Sequence, residues 1–194
     1  MRNAFGRDGF QVREVCDVDA NRLAAAKALA DERQQGSDCF ATTRHEEAMD
    51  REDVDAVVIA TPDHWHAHQI LDGAKRKKHT YCEKPLTLTL REAQLVIPAV
   101  KEAGVAFQTG SQQRTEFGQR FVTACEMVRN GRLGQVLTVH VGVGGPPTAC
   151  DLPAEEPEPG LDWDRWLGPA PLRPYNSELS PRGVHGHYPA WRRY

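Results

Sequence analysis

The sequence predicts a parallel, doubly wound α/β sheet, and three observations carry that prediction. Short apolar runs suited to buried strands occupy residues 11–16, 54–60, 80–83 and 105–108. Segments of helical periodicity, opened by capping residues, lie between them. Such alternation makes βαβ units, whose right-handed crossovers put every strand's C-terminal end on one edge.

The elements follow in order. Residues 11–16 read as a strand ending at Asp17-Val18-Asp19, and residues 21–34 follow as a helix with Leu23, Ala26 and Ala30 at helical spacing. Gly36 is placed to stop that helix. Thr43-Arg44-His45-Glu46 has capping-box form and opens a short helix. The run "VDAVVIA" (54–60) suits a strand buried on both faces. Asp63 is placed to cap a helix to about residue 77, whose basic end, Lys75 to Lys78, complements the helix dipole. After the strand at 80–83, the capping box Thr89 to Glu92 opens a helix to Ala103, with Pro98 expected to kink or split it.

From about residue 112 the character changes. A helix is expected over 117–130, then a long alternating strand, "QVLTVHVGV" (135–143), then an irregular Pro- and Gly-rich stretch broken by "LDWDRWLG" (161–168). The boundary near 112 divides the chain into a nucleotide-binding part, 1–112, and the beginning of a second, α+β part, 113–194.

Composition narrows the function. The 194 residues carry a net charge of −3, so no basic field points to nucleic acid or an anionic membrane. No apolar stretch approaches the ~20 residues of a membrane span. Five cysteines, an odd number without a C-x-x-C, argue against a disulfide framework or zinc ribbon and favour a reducing compartment. The chain as given reads as cytoplasmic, any export signal upstream of Met1 lying outside it.

Three strand ends carry candidate chemistry. Asp17, directly after an apolar strand, suits the acidic residue that binds an adenosine ribose 2′-OH; a helix cap is the alternative. Thr61-Pro62 turns the chain at the end of the second run. Glu83-Lys84-Pro85 ends the third, and a lysine there, partly desolvated beside a positively charged nicotinamide, favours its neutral amine and can exchange a proton with a substrate hydroxyl. A solvated surface pair is the alternative. His64, His66 and His68 alternate in "DHWHAHQ", but i, i+2 positions diverge on a helix, and no carboxylate or cysteine completes a metal set; no metal is expected. One of these histidines facing the crevice is the better reading.

Together, "VCDVD", "VVIATPDHWHAHQIL", "KHTYCEKPL" and "FQTGSQQR", in this order, resemble the Gfo/Idh/MocA oxidoreductases, the NAD(P)-dependent relatives of glucose–fructose oxidoreductase and inositol dehydrogenase. The segments "RNGRLGQVLTVHVGVGG" and "LDWDRWLGPAPLRPYN" are similar to the start of the family's C-terminal domain. The resemblance implies a Rossmann-like fold and roles by position. Asp17 would bind the adenosine ribose, favouring NAD over NADP, and Thr61 and Pro62 would border the cofactor. His66 would lie near its nicotinamide end, and Glu83 would help hold the nicotinamide ribose. Lys84 would be the catalytic lysine, followed by a cis bond to Pro85, and Arg114 would contact the cofactor from the segment entering the second domain. The substrate would be a sugar, a cyclitol or a derivative.

Two departures from the family pattern carry expectations of their own. The acidic residue follows the glycine fingerprint by roughly 20 residues, so the first strand and its G-x-G-x-x-G are expected before Met1; Gly6 and Gly9 do not replace them. The family's C-terminal Asp and His are not matched, and His185 and His187 read as a polar loop. The expectation is an isolated chain that folds poorly and binds NAD weakly, with a homo-oligomer forming in the complete enzyme. The competing reading is an inactive fragment or binding module of the same family.

Overall fold

The structure, a computed structural model, describes residues 9–36, 38–116, 118–184 and 190–194. Five strands and four helices alternate: β1 (Glu14–Cys16), α1 (Ala20–Gln34), β2 (Phe40–Thr42), α2 (His45–Asp50), β3 (Ala56–Ile59), α3 (His66–Lys75), β4 (His79–Glu83), α4 (Leu90–Ala103) and β5 (Phe107–Gly110). All pairings between these strands are parallel, as the predicted fold requires. They form two sheets, β1-β2 and β3-β4-β5, with β1 and β3 not hydrogen-bonded to each other. That is the strand order of a doubly wound sheet, 3-2-1-4-5-6, with position 1 unfilled among the described residues. Val58 on β3 is accordingly 59% exposed.

Helix boundaries follow from their caps. The Asp19 carboxylate accepts from the backbone N–H of Asn21 at 2.8 Å and of Arg22 at 3.3 Å, opening α1. At the other end Gln35, not the expected Gly36, takes the left-handed conformation (φ 53°), while the Gly36 N–H donates to the Asp31 carbonyl. The capping box of α4 forms as predicted: Thr89 Oγ1 accepts from the Glu92 N–H, and the Glu92 carboxylate accepts from the Thr89 N–H. The apolar faces of α3 and α4 then meet β3 and β4 around Ile59, Ala67, Ile70, Cys82 and Val96. Full burial of Ile70 alone stabilises by roughly 2 kcal/mol. A smaller core, Val15, Ala30 and Cys39, sits under β1 and β2.

Several expectations are corrected. Strand β2 was not anticipated; its three residues are too few to show a period. Thr43 does not cap α2. Thr42 holds that turn instead, accepting from the Arg44 N–H at 3.1 Å and donating to Glu47 at 2.5 Å. Asp63 does not cap α3 but forms a bidentate pair with Arg192 at 2.7 and 3.2 Å. Helix α4 runs through Pro98 because Gln94, whose carbonyl loses its partner, and Pro98 are both exposed, where water can replace the bond. The helix expected over 117–130 is α5 (Arg120–Arg129); Phe117 lies outside the described residues, as do His185 and His187. Residues 135–143 form no strand. Their alternation is real, with Leu137, Val139, Val141 and Val143 all exposed, but no neighbouring strand among the described residues supplies the ladder that a strand needs.

Glu14 on β1 produces a testable pH dependence. Both its carboxylate oxygens are buried without a hydrogen bond, and the nearest cation, Arg51 at 3.4 Å, is already held by Asp53. Burial, partly offset by Arg51, pushes the Glu14 carboxyl up from 4.5 to about 7. A raised folded-state pKa means that the contribution is fully present below pH 4.5 and is lost as pH rises to about 7, by at most about 3 kcal/mol. Glu14→Gln is therefore expected to stabilise the protein by about 1–2 kcal/mol at neutral pH and by nothing at pH 4.5. Thermal melts at the two pH values check this; an equal shift at both would mean that burial of the charge is not the cause.

Candidate active site

The C-terminal ends of β3, β4 and β5 share one edge of the larger sheet. Three loops leave that edge, and one histidine ties two of them together. At the end of β3 the chain turns at Thr61-Pro62. Thr61 Oγ1 donates to Gln69 at 2.9 Å, and the Pro62 carbonyl accepts from the Trp65 N–H at 3.0 Å, which starts the tight turn into α3. His66 opens α3 and is 1% exposed. Its Nε2 faces the Thr61 carbonyl at 2.9 Å and its Nδ1 the Pro85 carbonyl at 2.6 Å, so the ring fixes the β3 loop against the β4 loop. The Lys84–Pro85 bond is cis, as the family resemblance implied.

At the end of β4, Glu83 and Lys84 do not form a side-chain ion pair among the described residues. The Glu83 carboxylate accepts instead from the side-chain amide of Gln112 and, at 3.3 Å, from the Lys84 backbone N–H. Gln112 also donates to the Tyr81 hydroxyl at 3.0 Å. Gly110 makes this arrangement fit, since a Cβ there would stand 2.8 Å from the Tyr81 hydroxyl and 3.0 Å from the Glu83 carboxyl. Lys84 itself is exposed at the strand end, with no side-chain partner among the described residues. Gln112, Gly110 and Tyr81 were not singled out from the sequence, although "TYCE" and "FQTGSQQ" contain them.

Asp17 follows β1, at the corresponding end of the smaller sheet. Its carboxylate accepts from the Asp19 N–H at 3.0 Å, and burial, opposed by that hydrogen bond, pushes it above its ordinary value. Between β1 and β3 lies a feature the sequence did not announce. The Trp-rich segment, with helix α6 (Trp163–Leu167), fastens to both strand ends. The Asp162 N–H donates to the Val18 carbonyl and the Ala20 N–H to the Gly160 carbonyl, both at 3.0 Å. On the other side Trp65 Nε1 donates to the Trp166 carbonyl at 3.1 Å, and a His64 ring nitrogen lies 2.8 Å from the same oxygen. Burial holds the His64 imidazole below its ordinary value. Leu161, Trp166, Leu167 and Tyr175 form the segment's own core.

The alternating histidines thus diverge, as their spacing implied: His64 to the Trp-rich segment, His66 between two loops, His68 outward. Arg114 is exposed in the short 3-10 turn Gln112–Arg114 after β5, and its side chain makes no hydrogen bond or ion pair among the described residues.

For a nicotinamide dinucleotide the fit divides. A partly buried carboxylate at the end of β1 suits a ribose diol, and the end of β4, in the larger sheet, offers Glu83 and Lys84. A pyrophosphate cradle is another matter, since no G-x-G-x-x-G occurs in the 194 residues.

Comparison with known proteins supplies an independent line. The Gfo/Idh/MocA family, described as "Oxidoreductase family, NAD-binding Rossmann fold", matches residues 2–111. Over 160 residues the chain is 29% identical to the uncharacterized oxidoreductase YrbE of Bacillus subtilis, covering 82% of this chain and 41% of that one. It is 34% identical over 159 residues to 1,5-anhydro-D-fructose reductase of Ensifer adhaerens, covering 81% of this chain and 45% of the relative. The crystal structure of myo-inositol 2-dehydrogenase from Lactobacillus plantarum superposes with a TM-score of 0.59 at 25% identity, over 70% of this chain and 38% of that one. The chain therefore spans less than half the length of these relatives.

Proposed function

The chain belongs to the Gfo/Idh/MocA family of NAD-binding, Rossmann-fold oxidoreductases, and on that premise we propose that it provides the cofactor edge and catalytic lysine for redox chemistry at a hydroxyl-bearing carbon of a sugar or cyclitol. The observation that carries this reading is the end of β4. There Lys84 stands exposed and unpaired among the described residues, beside a Glu83 held in place by Gln112. The relatives named for an anhydro sugar and for inositol support the substrate class.

In this reading Asp17 accepts hydrogen bonds from the adenosine ribose diol, and its charge disfavours a 2′-phosphate. Thr61 and Pro62 border the cofactor, and Glu83 accepts from the nicotinamide ribose. Lys84 Nζ takes the hydroxyl proton as the C–O bond becomes a carbonyl. The nicotinamide, when bound, supplies the acceptor for the hydride that leaves the same carbon. His66 does not face the substrate; it keeps the Thr61 and Pro85 loops in register. Arg114 is assigned to the cofactor side of the entry to the second part. Residues 1–112 and 113–194 are then the cofactor and substrate parts.

NADH formation from a panel of cyclitols and anhydro sugars tests the proposal, and Asp17→Ala tests its cofactor half. Removing a charged acceptor from the ribose is expected to weaken NAD by about 10–100-fold and NADP far less. Equal loss for both would remove Asp17 from the ribose site. A second reading, a binding module of this family without turnover, is favoured by the separation of β1 from β3. Saturable sugar binding with no NADH formed would select it.

A further inference from the structure

We propose that His45, His68 and Asp72 form a binding site for a divalent metal of the zinc class, joining α2 to α3. Asp72 and His68 lie at i and i−4 on one face of α3, and His45 reaches them from the first residue of α2. His45 Nε2 is 2.9 Å from Asp72 Oδ2, and His68 Nε2 is 3.8 Å from the same oxygen. One ligand atom from each residue lies within 4.8 Å of the other two. Tetrahedral zinc with bonds of 2.0–2.2 Å needs ligand atoms about 3.4 Å apart, so shifts of a few tenths of an ångström at two of the contacts move the set toward coordination.

The surroundings fit a cation better than they fit a closed hydrogen-bond network. Asp72 divides its oxygens: Oδ1 faces Arg76 at 3.4 Å, leaving Oδ2 to the two imidazoles. Arg76 is in turn held by Asp50 at 2.5 Å, so the local carboxylates are not neutralised by it. His45 has a carboxylate on each side, Asp72 at Nε2 and Glu46 Oε2 at 3.6 Å from Nδ1. A neutral ring has one N–H and can serve only one of them. Glu46 Oε2 is buried and has no hydrogen-bond partner. A metal on Nε2 places the proton on Nδ1, which then faces Glu46, the carboxylate–histidine–metal arrangement of many zinc sites. Trp65 packs edge-on against both imidazoles, with ring centroids 5.5 Å from His45 and 5.6 Å from His68, and sets their planes. His68 is exposed, which leaves the fourth position open to water.

In the sequence, His64, His66 and His68 stand together with no completing carboxylate evident. The structure turns the first two away and completes the third with groups 23 residues upstream and four downstream. None of the three belongs to the residues assigned to NAD, so this site stands or fails independently of the proposed reaction.

The test titrates the purified full chain, freed of metal with a chelator, with zinc in equilibrium dialysis and with cobalt followed by visible absorption. One ion per chain is expected. His68→Gln is expected to weaken binding at least about tenfold and to leave the chelated protein's melt unchanged, because the side chain is 58% exposed. His45→Gln should weaken it similarly, and His140→Gln, an exposed control outside the cluster, should not. If wild type and His68→Gln bind zinc alike, or neither binds stoichiometrically, the cluster is a hydrogen-bonded network only. Should His45→Gln fail to fold, His68→Gln still decides the matter.

Discussion

Lys84→Met is expected to lower turnover of the sugar or cyclitol substrate by about 10²–10⁴-fold while leaving NAD affinity within a few fold. The pairing of β4 with β3 and β5 on both sides holds residues 79–83 rigidly and delivers residue 84 at the sheet's edge. Lys84 does not spend its amine on Glu83, whose carboxylate is taken by Gln112 and the Lys84 backbone N–H. The amine is therefore available to a ligand. Methionine keeps the stem's length and apolar contacts and removes only the proton acceptor, so a fall in kcat with little change in KM would identify a group acting in the transition state. Lys84→Arg should fail almost as badly, because a guanidinium stays protonated and cannot accept the hydroxyl proton. Steady-state kinetics with each variant, alongside NAD titration, makes the measurement. Activity within tenfold of wild type in Lys84→Met would move the proton acceptor elsewhere and leave Lys84 as surface charge.

How much of this was legible in the sequence depends on how local each signal is. Capping at Thr89 and Glu92 is a matter of four consecutive residues, and it appears as written. Strand β3 is a run of apolar residues, and its ends were found within two residues. The expected burial on both faces is not met, since only Ile59 of the strand is buried while the flank of Val58 has no neighbouring strand among the described residues. By contrast β2 is three residues long, and its existence rests on pairing with β1 across α1, which no local pattern reports. The apolar alternation of residues 135–143 misled for the opposite reason, since alternation records a preference and a ladder needs a neighbour. Among the candidate residues, Asp17, Thr61 and Glu83 could be singled out because each closes an apolar run. The docking of the Trp-rich segment at Val18 and Trp65 could not, because its hydrogen bonds join residues more than 100 apart in the chain. The His45 cluster is hidden likewise: its members come from two helices, and only His68 of the three alternating histidines belongs to it.

His66 has in the structure a holding role that the sequence does not report, and that role can be measured. The resemblance placed it near the nicotinamide; the structure buries the ring and sets both nitrogens against backbone carbonyls, Thr61 at 2.9 Å and Pro85 at 2.6 Å. His66→Phe preserves a ring of similar size, so little packing is lost, but it takes every hydrogen-bonding group away from those carbonyls. A neutral ring has one N–H and donates to one of the two carbonyls. An unmade bond to a group in a buried setting costs about 1–3 kcal/mol, and that loss is expected to read as a drop of roughly 3–9 °C in the melting midpoint. His66→Asn keeps an amide that can reach one carbonyl and should recover part of the loss, though it leaves space that the ring filled. The functional consequence follows from position: the Thr61 loop borders the proposed cofactor site, and the Pro85 loop carries Lys84. Releasing one from the other should lower kcat and raise the KM for NAD together, a signature that Lys84→Met does not share. A His66→Phe protein that melts with wild type would mean that packing alone holds the ring. One that is destabilised yet turns over normally would mean that the two loops keep their register without it.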